Sequence, residues 1–96
     1  MKKFVILCQG YQEPSKEVMD DWMQWFGEIK EHIVDSGNPF GPGREVTKTG
    51  TKDMSLDKEA ITGYLIINAE NIEAAEKIVR NAPIITSMRV YEAMSM

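Results

Sequence analysis

Two segments of the chain carry apolar residues on both of the faces that a β-strand presents. In KFVILCQG, near the start of the chain, and in ITGYLIINA, which begins at Ile61, apolar residues occupy both alternating sets of positions. A strand with one face in water alternates apolar and polar residues instead. The pattern therefore predicts two strands that are covered on both faces.

Two other segments have the spacing of amphipathic helices. In the first, which runs from Ser15 to about Ser36, apolar residues recur at intervals of three and four positions. These residues are Val18, Trp22, Trp25, Phe26, Ile29 and Ile33. Ser15 is predicted to cap this helix and Gly37 to end it. The second helix, NIEAAEKIVRNA, is predicted to be capped by Asn71.

The remaining segments complete a βαββαβ order. After the corner GNPFGPG, the β-branched residues of REVTKTGTKD predict a strand that turns at Gly50, and SMRVYEAM predicts the last strand. This order is that of an α+β, ferredoxin-like fold, in which a four-stranded antiparallel sheet carries two helices on one face.

The ferredoxin-like order leaves one face of the sheet without helices. Its first and third strands are central, and here those are the two strands with two apolar faces. Isoleucine and leucine on the second face favour contact with the same face of another copy over contact with water. The sequence therefore predicts a homodimer that forms through the sheet face.

Composition limits the classes of partner. The 96 residues suit one small domain, predicted to span residues 1–96, and the formal net charge is −4. Lys and Arg are scattered among Asp and Glu, so the sequence lacks the basic stripe of a nucleic-acid-binding protein. No segment approaches the roughly 20 consecutive apolar residues of a membrane span. We therefore expect neither nucleic acid nor a membrane as a partner.

The chain has one cysteine, Cys8, and one histidine, His32. These two residues can form neither an intramolecular disulfide nor a four-ligand zinc site. The sequence accordingly predicts no metal site and favours a reducing, cytoplasmic location. We also expect no cofactor, since the corner GNPFGPG has neither the Gly-Lys-Ser/Thr of a P-loop nor the spacing of a dinucleotide-binding fingerprint. Cys8, on a buried strand, is interpreted as an inert thiol.

His32 is the candidate for acid-base chemistry. It follows Glu28 by four residues and precedes Asp35 by three, so a carboxylate could tune its ring as a general base. The alternative is a surface histidine near the end of a helix, where its protonated form suits the helix dipole. The second interpretation is favoured because no nucleophile or second histidine accompanies it.

Several segments resemble the YCII-related proteins of the DGPF-domain type, over nearly the whole chain. The matching features are Trp22 and Trp25, the corner from Gly37 to Pro42, Gly63 with Tyr64, Ala75 and Pro83. The resemblance implies a dimeric α/β barrel of ferredoxin-like subunits, in a family whose members mostly have no established activity. The chain reads Asp53-Met54-Ser55-Leu56 where relatives of this type carry Asp-Gly-Pro-Phe. It has Trp25 or Phe26 where the shorter YCII proteins place a histidine that is proposed to be catalytic. No catalytic residue is therefore transferred from the family.

These observations predict a homodimer that binds a small, partly apolar molecule in the crevice between the sheet and the first helix. The candidate ligand-binding residues are Trp22, Trp25, His32, Phe40, Arg44 and Tyr64. The aromatic residues would form walls, and Arg44 or His32 would be the polar anchor. One alternative is an enzyme, a hydrolase, isomerase or cofactor-free oxygenase, with His32 as general base. The other is a structural or protein-interaction module without a ligand.

Overall fold

A computed structural model of the protein describes residues 1–95 and contains six strands and two α-helices. The strands are β1 (Lys2–Gln9), β2 (Ile33–Asp35), β3 (Gly43–Thr47), β4 (Gly50–Met54), β5 (Ile61–Ala69) and β6 (Ser87–Glu92). The helices are α1 (Lys16–Ile29) and α2 (Ile72–Arg80), and the 3-10 turn Lys30–His32 joins α1 to β2. Within these residues, no helix is long and apolar enough to cross a membrane.

The main sheet confirms the ferredoxin-like fold. Its four strands are ordered β2-β5-β1-β6 and all neighbouring strands are antiparallel. The central strands β1 and β5 are the two that the sequence predicted to be apolar on both faces. Their register places Phe4 opposite Ile67 and Ile6 opposite Leu65, so the largest buried side chains lie side by side at the centre of the sheet.

Both helices begin at the predicted caps. The Ser15 hydroxyl accepts a hydrogen bond from the Val18 N–H at 3.2 Å, and the Asn71 side-chain carbonyl accepts one from the Ala74 N–H at 2.9 Å. Each cap satisfies a backbone donor that has no partner inside the helix.

The core lies between the sheet and one side of each helix. The sheet contributes Phe4, Ile6, Leu65, Ile67 and Ala69, and the helices contribute Trp25, Ile29, Ala75 and Val79. The Trp25 indole N–H donates to the Ile78 carbonyl at 3.2 Å, which ties α1 to α2. Both helices therefore cover the same face of the sheet, as the sequence predicted.

The first helix ends earlier than predicted. It stops at Ile29, and Ile33 begins β2 in place of continuing the helix towards Ser36. The cause is tertiary, because Ile33 pairs with Ile67 of β5 and supplies the fourth strand of the sheet. Gly37 has the predicted left-handed conformation, with φ of 72°, but it follows a strand and not a helix.

The second predicted strand forms outside the main sheet. REVTKTGTKD folds into a separate hairpin of β3 and β4, in which Glu45 lies opposite Lys52. All residues of both strands are exposed, including Val46 at 75%. The radius of gyration of 14.4 Å exceeds the value of about 12.5 Å typical of this length, consistent with a projecting hairpin.

The face of the sheet opposite the helices, here called the open face, is apolar at its centre. Strand alternation and register place on it Val5, Leu7, Tyr64, Ile66 and Tyr91. Tyr91 is 54% exposed, and the other four are half-buried. The described protein thus presents to solvent an apolar surface at the centre of its sheet.

Candidate functional site

A crevice of about 590 Å³ opens between α1 and one end of the central strands. Helix α1 and the segment before it contribute Tyr11, Gln12, Pro14, Val18, Met19, Trp22, Met23 and Phe26. The strands contribute Cys8, Thr62, Gly63, Tyr64 and Leu65, and Gly10 follows the end of β1. The loop after β2 contributes Ser36, Gly37, Asn38, Pro39 and Phe40, and Ile85 completes the rim.

The loop after β2 is fixed along the edge of β5. Pro39 forms an isolated β-bridge with Gly63, and the Phe40 N–H donates to the Thr62 carbonyl at 2.8 Å. The loop therefore continues the path of β2 and closes one side of the crevice.

Gly37 and Asp35 hold the start of this loop. At Gly37 the backbone is left-handed and a Cβ atom would overlap the Tyr64 carbonyl, so only glycine fits there. One Asp35 carboxylate oxygen accepts from the Gly37 N–H at 2.8 Å, and the other accepts from the Tyr64 hydroxyl at 3.4 Å. Asp35 thus links the loop to the third strand of the main sheet in chain order, β5.

Aromatic rings lie at two places around the crevice. On α1, Trp22 packs against Phe26 with 6.0 Å between ring centroids, and it contacts Trp25 edge-on at 5.8 Å. At the opposite side, Phe40 stacks on Tyr64 at 5.7 Å with 22° between the ring planes. Since Tyr64 alternates with Leu65 along β5, this stack lies where the crevice meets the open face.

The polar groups of the crevice lining include the Cys8 thiol and the Thr62 hydroxyl. Burial raises the pKa of the Cys8 thiol from 9.0 to about 11, so it remains protonated at neutral pH. The Thr62 hydroxyl donates to the Gly10 carbonyl at 2.8 Å. Across residues 1–95, no group of three or more His, Cys, Asp and Glu side chains is arranged to hold a metal ion.

The structure brings three of the six predicted binding residues to the crevice. Trp22, Phe40 and Tyr64 belong to its lining. Trp25 lies in the core with 2% of its surface exposed. His32 ends the 3-10 turn and is not part of the lining. Arg44 lies on the exposed hairpin, where its Nε atom is 3.2 Å from Oδ1 of Asp53, and it is also outside the lining.

The other wall residues on α1 and β5 belong to the helix and strand patterns of the sequence. Val18, Trp22 and Phe26 follow one another at intervals of four, which places them in one stripe along α1. That spacing was the available signal for the helix wall. Asp35 was considered only as a neighbour of His32, because its contact with Tyr64 joins residues 29 positions apart.

The fold and the crevice together define a ferredoxin-like α+β domain with a mainly apolar small-molecule-sized cavity. Among solved structures, the chain is similar to 5-chloro-2-hydroxyhydroquinone dehydrochlorinase from Burkholderia phenoliruptrix AC1100, in complex with 2,5-dihydroxybenzoquinone. The TM-score is 0.59 with 18% sequence identity, over 96% of this chain and 93% of the other. At that identity the likeness shows a common fold. No family model matches the chain, and no curated protein matches it.

Proposed function

We propose that the protein is a homodimer that binds a small, partly apolar molecule in the crevice. The observation that carries this proposal is the crevice itself, whose volume of about 590 Å³ lies within the roughly 300–1,000 Å³ usual for ligand sites. A purely structural module has no need of such a space, and its own side chains would fill it.

The chemistry of the walls supports a flat, ring-containing ligand. Trp22 and Phe26 offer aromatic surface from α1, and Leu65 offers aliphatic surface from the sheet. Aromatic side chains pack against rings in stacked or edge-on geometries. The dehydrochlorinase of similar fold was solved with a single six-membered ring, which a cavity of this size accommodates.

The homodimer is supported by the open face. In a face-to-face pair, the apolar side chains of two copies would leave water together, at about 25 cal/mol for each Å² of apolar surface. Membership of the YCII-related family is part of the same proposal. It is supported by the ferredoxin-like fold of the chain, which is the fold that the resemblance implies. A cytoplasmic location is also proposed, on the basis of the single, unpaired Cys8.

The enzyme hypothesis is supported by the comparison with solved structures but not by the position of His32. The similar solved structure is that of an enzyme, but His32 lies outside the crevice lining of this chain. A ligand held between Trp22 and Leu65 therefore does not need His32 for binding. We propose small-molecule binding as the function and assign no reaction.

Trp22→Ala tests the crevice as the binding site. We expect 2-naphthylmethanol to shift backbone amide NMR signals of residues in the lining, including Gly37 and Gly63. Loss of the Trp22 ring should raise the dissociation constant of 2-naphthylmethanol about tenfold, because an aromatic pair contributes up to about 1.5 kcal/mol beyond burial. Circular dichroism of the variant confirms that it remains folded.

Ile72→Ala is the matched control for this experiment. Ile72 is 49% exposed on α2 and lies outside the crevice, so its truncation should leave the dissociation constant unchanged. Amide shifts confined to surfaces away from the lining, or equal affinity in the Trp22→Ala variant, would contradict the proposed site.

A further inference from the structure

The crevice is notable for the side chains that it lacks. Among the described residues that line it, none is Asp, Glu, Lys, Arg or His. Its polar side chains are hydroxyls, amides and one thiol, supplied by Tyr11, Gln12, Ser36, Asn38, Thr62, Tyr64 and Cys8. None of these residue types contributes to the formal net charge of the protein.

Neither Asp35 nor Arg44 offers compensation for an anion in the crevice. Asp35, which contacts Tyr64 of the lining, is itself an acidic residue, and both of its oxygens already accept hydrogen bonds. Arg44, which the sequence suggested as an anchor, faces Asp53 on the hairpin. The protein as a whole carries a formal net charge of −4. The electrostatic field of Asp35 and of the whole protein is therefore unfavourable to a negatively charged ligand.

The N-terminus of α1 borders the crevice, since Pro14 and Val18 belong to the lining. A helix N-terminus can attract anions through its free N–H groups. Here the Val18 N–H is already bonded to the Ser15 hydroxyl. Lys16 and Glu17 in the same turn carry opposite charges, and neither lines the crevice. The cap therefore removes one of the backbone donors that this end of the helix could offer to a carboxylate or phosphate.

From this arrangement we infer that the crevice selects uncharged ligands and discriminates against carboxylates and phosphates of the same shape. This inference rests on the proposed function and specifies its ligand class. A carboxylate that leaves water for apolar walls loses its hydration and finds no cation to replace it. A ligand hydroxyl or carbonyl needs only a neutral donor or acceptor, which the amides of Gln12 and Asn38 provide.

A matched pair of ligands tests the inference on the full chain. The pair is 2-naphthylmethanol and 2-naphthoate, which share the two fused rings and differ in a neutral hydroxymethyl or a charged carboxylate group. At pH 7 we expect 2-naphthylmethanol to bind at least about tenfold more tightly, with amide shifts in the lining. Equal or tighter binding of 2-naphthoate at the same residues would overturn the charge selection and leave crevice binding intact. Failure of both ligands to bind would overturn the proposed function itself.

A positive charge placed at the rim supplies the second test. Met19 is 55% exposed on α1 and belongs to the lining, so Met19→Lys adds a cation there without burying it. We expect this variant to raise the affinity for 2-naphthoate about tenfold. Val46→Lys makes the same change in charge on the hairpin, where Val46 is 75% exposed, and should have no effect. An equal gain in both variants, or no gain in Met19→Lys, would contradict selection by the crevice.

Discussion

Ile66→Glu is expected to convert the proposed homodimer into a folded monomer. Ile66 lies at the centre of the open face, opposite Val5 and on the same face as Tyr64. In a symmetric dimer each copy would bury one unpaired carboxylate, at a cost of several kcal/mol per charge. The dimer dissociation constant should rise by at least about a thousandfold, since each 1.4 kcal/mol is a factor of ten. Sedimentation velocity at a fixed protein concentration measures this change.

Val46→Glu is the matched control for Ile66→Glu. It introduces the same side chain on the projecting hairpin, at a position that is 75% exposed in a single copy. We expect this variant to sediment as the unaltered protein does. An Ile66→Glu variant that remains dimeric would show that the open face is not the interface.

Trp25→Ala is expected to cause the largest loss of stability among the aromatic positions of α1. Its ring is 2% exposed, and its N–H donates to the Ile78 carbonyl. Truncation leaves a cavity and an unpaired acceptor, which should lower the free energy of unfolding by about 3–5 kcal/mol. A domain of this size has a total stability of about 5–15 kcal/mol. Urea denaturation at one protein concentration, followed by circular dichroism, measures the loss.

Trp22→Ala provides the comparison, because Trp22 is one helical turn away and only half-buried. Its truncation should cost about 1–2 kcal/mol, since less apolar surface returns to water. A loss that is equal in the two variants, or a loss below about 1 kcal/mol for Trp25→Ala, would contradict the division of these rings between core and crevice.

The parts of the fold that were predictable depend on patterns within single segments. The two-faced strands identified β1 and β5 as central, and Ser15 and Asn71 marked the starts of the helices. The end of α1 was not predictable in this way, because Ile33 follows Ile29 by four residues and so continues the helical spacing. Its pairing with Ile67, distant in sequence, decides that it belongs to a strand. Local periodicity carries no information about that pairing.

The candidate site was partly predictable for a related reason. Trp22 and Trp25 are three residues apart, and three residues turn an α-helix by about 300°, so the two rings point about 60° apart. The sequence alone does not show which ring meets the core and which borders the crevice. The sequence predicts Arg44 near the crevice because it follows Phe40 by only four residues. The separate β3–β4 hairpin carries its side chain away from the lining.

Native mass spectrometry of gently purified protein tests dimer formation and ligand binding together, because one spectrum reports the number of subunits and any retained small molecule. We expect a dimer in which some copies carry the added mass of a small, uncharged ligand, and this mass should be lost from the Trp22→Ala variant. A monomer without added mass, under conditions that preserve other weak complexes, would contradict both expectations.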